Sequence, residues 1–63
     1  MKLRQWLSKA NMSISHLARN LNIDKSLIHR WFNGERRIGP RTLKLLYDVT
    51  NGEINHVDDV REF

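Results

Sequence analysis

The chain contains no cysteine, a single proline (Pro40) and only three glycines, Gly34, Gly39 and Gly52. Without Cys there is neither a disulfide framework nor a thiolate zinc site, so burial of aliphatic and aromatic groups must hold the fold together. Long apolar runs are missing as well. Nothing approaches the roughly 18 uninterrupted apolar residues of a membrane span, and the basic opening MKLRQWLSK is not followed by the apolar stretch and cleavage site of a secretory signal. The expected location is the cytosol. Repeats, low-complexity runs and linkers rich in Pro, Gly or Ser are absent too, which predicts one domain over residues 1–63. A domain of this size buries roughly 60% of the surface its unfolded chain exposes, so its margin of stability is slim. His16, His29 and His56 stand far apart without companion ligands, and no nucleophile is paired with an evident base. No metal site, cofactor, small-molecule ligand or enzymatic activity is expected.

What the chain does have is charge, unevenly placed. The net charge is +4. Residues 1–44 hold ten of the eleven Lys and Arg against Asp24 and Glu35, giving +8, whereas residues 45–63 hold Arg61 against Asp48, Glu53, Asp58, Asp59 and Glu62, giving −4. A basic body with an acidic tail suggests a polyanion partner for the body. The plainer alternative is a solvated surface of mixed sign.

Apolar periodicity then divides the chain. Leu3, Trp6, Leu7 and Ala10 recur at i, i+3, i+4 and i+7, which predicts a helix over about residues 2–10, ended by Asn11 and Met12. Ser13 is placed to cap a second helix, in which Ile14, Leu17, Ala18 and Leu21 repeat the spacing. Asn22 and Ile23 break it, Asn being among the few residues that tolerate the left-handed conformation of a tight exit. Asp24 caps a third helix over residues 25–33 with apolar Leu27, Ile28, Trp31 and Phe32, and Gly34 stands where a helix is usually released. A basic loop from Glu35 to Gly39 leads to Pro40, suited to the first position of a fourth helix. That helix is expected to show a broad apolar face of Leu43, Leu45, Leu46, Tyr47 and Val49 and to end at Gly52. In the tail, Asn55 can cap a single turn containing Val57 and Val60, with a short strand as the alternative. The fold class is thus all-α, a compact bundle of four to five short helices. Trp6 and Trp31 lie on apolar stripes, so core packing is expected for both rather than stacking on unpaired bases.

The segment IHRWFNGERR, residues 28–37, is similar to a homeodomain's third helix, but the surrounding chain excludes that domain. Only thirty residues precede Trp31, too few for the two complete helices a homeodomain places first. Gly34 also interrupts the approach to Arg36 and Arg37, and Gly inside a helix costs about 1 kcal/mol relative to Ala. A helix-turn-helix fits residues 13–34 instead. Two short helices crossing steeply need a small residue where one passes over the other, and Ala18 occupies that place. The run LARNLNIDKSLIHRWFNG resembles the Cro and phage-repressor (Cro/C1-type) family, through Leu-Ala-x-x-Leu-x-Ile followed by Ile-x-x-Trp-x-x-Gly. The tail GEINHVDDVREF resembles the end of small phage Cro-like regulators, with Asp59, Val60 and Arg61 matching an Asp-Leu-Arg-type segment. Two departures stand out: Ile14 occupies a place where the family often has a phosphate-touching Gln, and Asn22 replaces the usual turn Gly. The resemblance implies a lambda-repressor-like DNA-binding fold. It further implies a regulator that blocks polymerase or a rival repressor at an operator, in the cytoplasm of a bacterial cell or phage-infected host.

On the third helix Ser26, His29, Arg30 and Asn33 lie at i, i+3, i+4 and i+7, opposite the apolar stripe. With Lys25 in the first turn, this face has the chemistry to enter a major groove, where each base pair presents a distinct pattern of donors and acceptors. The resemblance assigns base reading to Lys25, Ser26, His29 and Arg30. Arg30 leads, because its planar fork matches guanine O6 and N7, a contact worth roughly 1–3 kcal/mol of discrimination. Phosphates supply most of the attraction, and Arg19, Asn33, Arg36, Arg37 and Arg41 are the expected partners.

A single motif reads few base pairs, so a homodimer on an inverted-repeat operator is expected, weak in solution or assembled on the DNA. Phe32, Ile38, Val57, Val60 and Phe63 are its expected contacts, the alternative being that they close the small core. The rival function is an antitoxin-like protein-interaction module that keeps the helix-turn-helix fold. Binding to RNA or to a membrane surface is disfavoured, since neither a sheet of aromatics nor a solitary cationic amphipathic helix is evident.

Overall fold

Most helix boundaries in the described chain fall at a residue whose chemistry accounts for them. The computed structural model describes residues 1–61 and contains α1 (Leu3–Lys9), α2 (Ile14–Leu21), α3 (Lys25–Asn33), α4 (Pro40–Val49) and a single 3-10 turn (Val57–Val60). Ser13 Oγ accepts from the His16 N–H at 3.0 Å and Asp24 Oδ1 accepts from the Ser26 N–H at 2.9 Å, so the two motif helices carry the caps expected of them. Pro40 takes the first position of α4, where its missing N–H costs nothing.

The four exits share one device. Asn11, Asn22, Gly34 and Asn51 all have φ between 54° and 76°. Beyond them the N–H groups of Met12, Ile23, Glu35 and Gly52 return to the carbonyls of Leu7, Ala18, Arg30 and Tyr47 at 2.8–2.9 Å. These are Schellman closures, which satisfy carbonyls that a helix end would otherwise leave unpaired. Expected ends at Asn11, Asn22 and Gly34 are therefore met, while α4 turns at Asn51, one residue before Gly52.

The core gathers Leu3, Trp6 and Leu7 of α1, Leu17, Ala18 and Leu21 of α2, and Ile28, Trp31 and Phe32 of α3. Ile38, Leu46, Ile54 and Val60 complete it. Burying a side chain of Leu or Phe size contributes roughly 1.5–3 kcal/mol, so these few residues carry the fold. The polar group inside, Thr50, is fully hydrogen-bonded: its Oγ1 donates to the Leu46 carbonyl at 2.8 Å and accepts from the Ile54 N–H at 3.1 Å. That pair of bonds leads the chain from the end of α4 back over the core.

Three expectations need correction. Leu46 is the buried residue of α4 and Leu43 is partly covered, but Leu45, Tyr47 and Val49 are 46%, 48% and 37% exposed. Leu43, Leu46 and Thr50 fall at i, i+3 and i+7, one narrow stripe, and the rest of the supposed broad face looks to solvent. Phe32, Ile38 and Val60 are buried within the protomer and Val57 is partly covered, so they close the core and offer a second subunit almost no surface. Phe63 lies outside the described residues. Finally, the tail forms the 3-10 turn, and the cap is His56 rather than Asn55. His56 Nδ1 accepts from the Asp58 N–H at 3.1 Å, and Asp59 Oδ2 accepts from the N–H groups of Asn55 and His56 at 3.2 and 3.3 Å.

Candidate nucleic-acid interface

The acidic tail folds onto α1 and leaves the basic middle of the chain uncompensated. Lys9 Nζ meets Glu53 Oε1 at 3.0 Å, Lys2 Nζ donates to the Asp58 carbonyl at 2.7 Å, and Asp58 faces Arg61 at 3.7 Å. Among the described residues, by contrast, no ion pair within 4 Å engages Arg19, Lys25, Arg30, Arg36, Arg37 or Arg41. All six are exposed. The charge asymmetry in the sequence becomes a spatial one, with uncancelled cations on α2, α3 and the loop that follows.

Two packed helices hold this surface. α2 packs more closely against α3 than any other pair of elements does, and the buried Ala18 brings α2 close. Ile28, Trp31 and Phe32 anchor the inner side of α3 in the core, with Leu27 half-covered. Lys25, Ser26, His29, Arg30 and Asn33 consequently stand on its outer side, all exposed. The residues expected to face base edges thus form one solvent-facing strip rather than being divided between core and surface.

The start of that strip is electrostatically fixed. The Asp24 carboxyl is held below its usual range, first by the hydrogen bond from the Ser26 backbone, then by the Ser26 side chain, with the charges of Lys25 and Arg30 adding to the effect. Asp24 thus stays ionised while capping α3, in keeping with the positive end of the helix dipole. At the other end, Gly34 with φ 76° turns the chain into the loop, and the N–H groups of Glu35 and Arg36 both return to the Arg30 carbonyl at 2.9 and 3.3 Å. A side chain with a Cβ is strained in that left-handed conformation. Arg36 and Arg37 follow this turn in the chain, and Arg41 comes in the first turn of α4.

One contact was not legible beforehand. The Arg4 guanidinium carbon of α1 lies 4.6 Å from the centroid of the Phe32 ring, whose edge meets the His29 ring at 6.4 Å and 83°. The pairing of His29 with Phe32 follows from their i, i+3 spacing on one helix. That of Arg4 with Phe32 needs the packing of α1 near α3, for which no spacing rule gives a signal.

Comparison with known proteins agrees with this geometry. A helix-turn-helix family model (HTH_3) matches residues 1–56, which takes in all four helices. No curated protein and no solved structure gives a match. The family model covers most of the chain, and the capped α2–turn–α3 unit with its outward polar strip lies inside the matched segment: the chain belongs to the Cro/C1-type helix-turn-helix family of DNA-binding regulators.

Proposed function

We propose that this protein is a Cro-like repressor that recognises a specific sequence in double-stranded DNA by laying α3 in the major groove. The observation that carries the reading is the exposed strip of Lys25, Ser26, His29 and Arg30 together with cations that, among the described residues, no carboxylate approaches within 4 Å. Arg30 grips guanine O6 and N7, Lys25 reads guanine or a phosphate, and Ser26 and His29 pair with neighbouring edges. Arg19, Asn33, Arg36, Arg37 and Arg41 hold phosphates and fix the register. Two copies related by a two-fold axis bind an inverted repeat, their α3 helices entering successive major grooves about 34 Å apart. The whole residue range 1–63 serves as one DNA-binding domain in the cytoplasm of a bacterial or phage-infected cell.

With Phe32, Ile38 and Val60 committed to the core, the exposed Leu45, Tyr47 and Val49 of α4 are, among the described residues, apolar groups available to meet a second copy. They also favour the second reading, an antitoxin-like module in which this helix grips a different protein. Arg30→Ala and Arg37→Ala separate the two. In the repressor reading, Arg30→Ala relaxes preference at one base pair, and Arg37→Ala weakens binding to all duplexes and flattens its salt dependence by about one unit of slope. Titration of each variant with duplexes at several salt concentrations checks this. Identical, salt-insensitive behaviour of both variants would remove the assigned roles.

A further inference from the structure

Resting on the reading that two copies act together on DNA, we propose that a second copy of this chain docks antiparallel on the outward face of α4, through Lys44, Leu45, Asp48 and Val49. The inner side of α4 is settled by Leu46 and Thr50, both buried, with Thr42 and Leu43 partly covered. At about 3.6 residues per turn, Lys44, Leu45 and Asp48 fall on the opposite side and Val49 on its edge, and all four are exposed. Tyr47 belongs elsewhere. It flanks the other edge of the helix, and its ring lies against the turn at Gly52, where an added Cβ would come within 3.3 Å of it. The outward face therefore carries two pairs at i, i+4, the charged Lys44 and Asp48 beside the apolar Leu45 and Val49.

Self-complementarity singles out a second copy as the occupant. A two-fold axis crossing α4 at the level of residues 46 and 47 reverses the helix direction. It brings Lys44 level with Asp48 of the second copy and Leu45 level with Val49 of the second copy, each contact occurring twice. Opposite charges then meet in one lane and apolar groups in the other. Within the protomer these charges have no counterpart: among the described residues no ion pair within 4 Å engages Lys44 or Asp48. Asp48 lies near the end of α4, where the negative end of the helix dipole disfavours an acid, and the last turn holds no basic residue to offset it. Lysine four residues before an acid is also the less favourable order for a pair on one helix. An ammonium group delivered by a second copy supplies what α4 alone lacks. Arg41 lies beyond the paired stretch. Four residues per copy are few beside a standard interface of about 800 Å² per partner, which makes the dimer weak.

The test is self-association of the full chain, followed by sedimentation equilibrium up to millimolar concentration, with binding to a random-sequence duplex measured in parallel. Wild type is expected to pass from monomer toward dimer. Lys44→Glu and Asp48→Lys each replace two attractions by two like-charge contacts, so each should weaken self-association about tenfold. An equimolar mixture of the two variants should recover it, because in the mixed dimer positions 44 and 48 again join opposite charges at both ends. An effect confined to helix stability within one chain is not rescued by mixing. Variants that dimerise as wild type does, or a mixture no stronger than either variant alone, would overturn the pairing and leave two copies to meet on another surface. A wild type that stays monomeric would overturn both the pairing and the dimer, leaving this face to a different protein. In each case duplex binding judges the α3 reading separately: a chain that dimerises by these rules and binds no duplex would keep the pairing and remove the DNA reading.

Discussion

Asp24 joins the stability of α3 to its charge. Its carboxylate accepts the Ser26 N–H and is drawn below its ordinary range by that bond, with help from Lys25 and Arg30. Because the folded value is depressed, the native state binds fewer protons than the unfolded chain near this group. The resulting stability is present above the ordinary aspartate range, about 3.9, and is lost as pH falls through the lowered folded value. Asn caps a helix about as well as Asp but carries no charge. Asp24→Asn should therefore unfold at a lower temperature than wild type at neutral pH, and the gap should close on acidification to about pH 2. Thermal unfolding followed by circular dichroism measures it. A gap that does not change with pH would show that the charge has no part in holding α3.

At the scale of elements, the helix ends were readable because their chemistry is local. Ser13, Asp24, Asn22 and Gly34 act on backbone groups within a few residues of themselves, so sequence spacing is enough to place them. Asn22 has φ 57° and is the pivot of the turn between α2 and α3. Asn22→Ala keeps a Cβ in the left-handed conformation but lacks the short polar side chain that lets Asn adopt it, so part of the roughly 1–2 kcal/mol cost of that region is felt, whereas Asn22→Gly removes the Cβ strain and should match or exceed wild type. Chemical denaturation of the three proteins gives the order Gly at or above Asn, both above Ala; an equal midpoint for Ala would mean the turn tolerates another geometry. The faces of α4 were less readable. Periodicity says which residues share a side, and it does not say how much of that side a neighbour covers. Only the stripe of Leu43 and Leu46 finds the core, so Leu45, Tyr47 and Val49 remain in water. The same ignorance of long-range packing hid the meeting of Arg4 and Phe32, and it made Ile38 and Val60 look like material for an interface.

For the molecule as a whole, a small core and divided charge set what it can do. Among the described residues thirteen buried hydrophobic side chains hold a globule with no disulfide, and domains of this size are stable by only a few kcal/mol. Against that narrow margin, the acidic tail is tied to α1 and the residue before it, where Glu53 meets Lys9 and the Asp58 carbonyl accepts from Lys2. These contacts of Glu53 and Asp58 leave Arg19, Lys25, Arg30, Arg36, Arg37 and Arg41 outside any ion pair within 4 Å among the described residues. The outward polar face of α3 was legible from sequence because α3 is a single helix whose buried side is marked by Ile28 and Trp31, which fixes its outer side by elimination. The contacts expected for a second copy were not, since Phe32, Ile38 and Val60 are buried within the protomer. Selection of bound duplexes from a random pool, run with wild type and with Arg30→Ala, tests the central claim most directly. Wild type is predicted to recover a short inverted repeat with half-sites about one helical turn apart, and Arg30→Ala should lose one guanine preference from each half-site. A pool with no enriched sequence, or the same sequence recovered by both proteins, would contradict it.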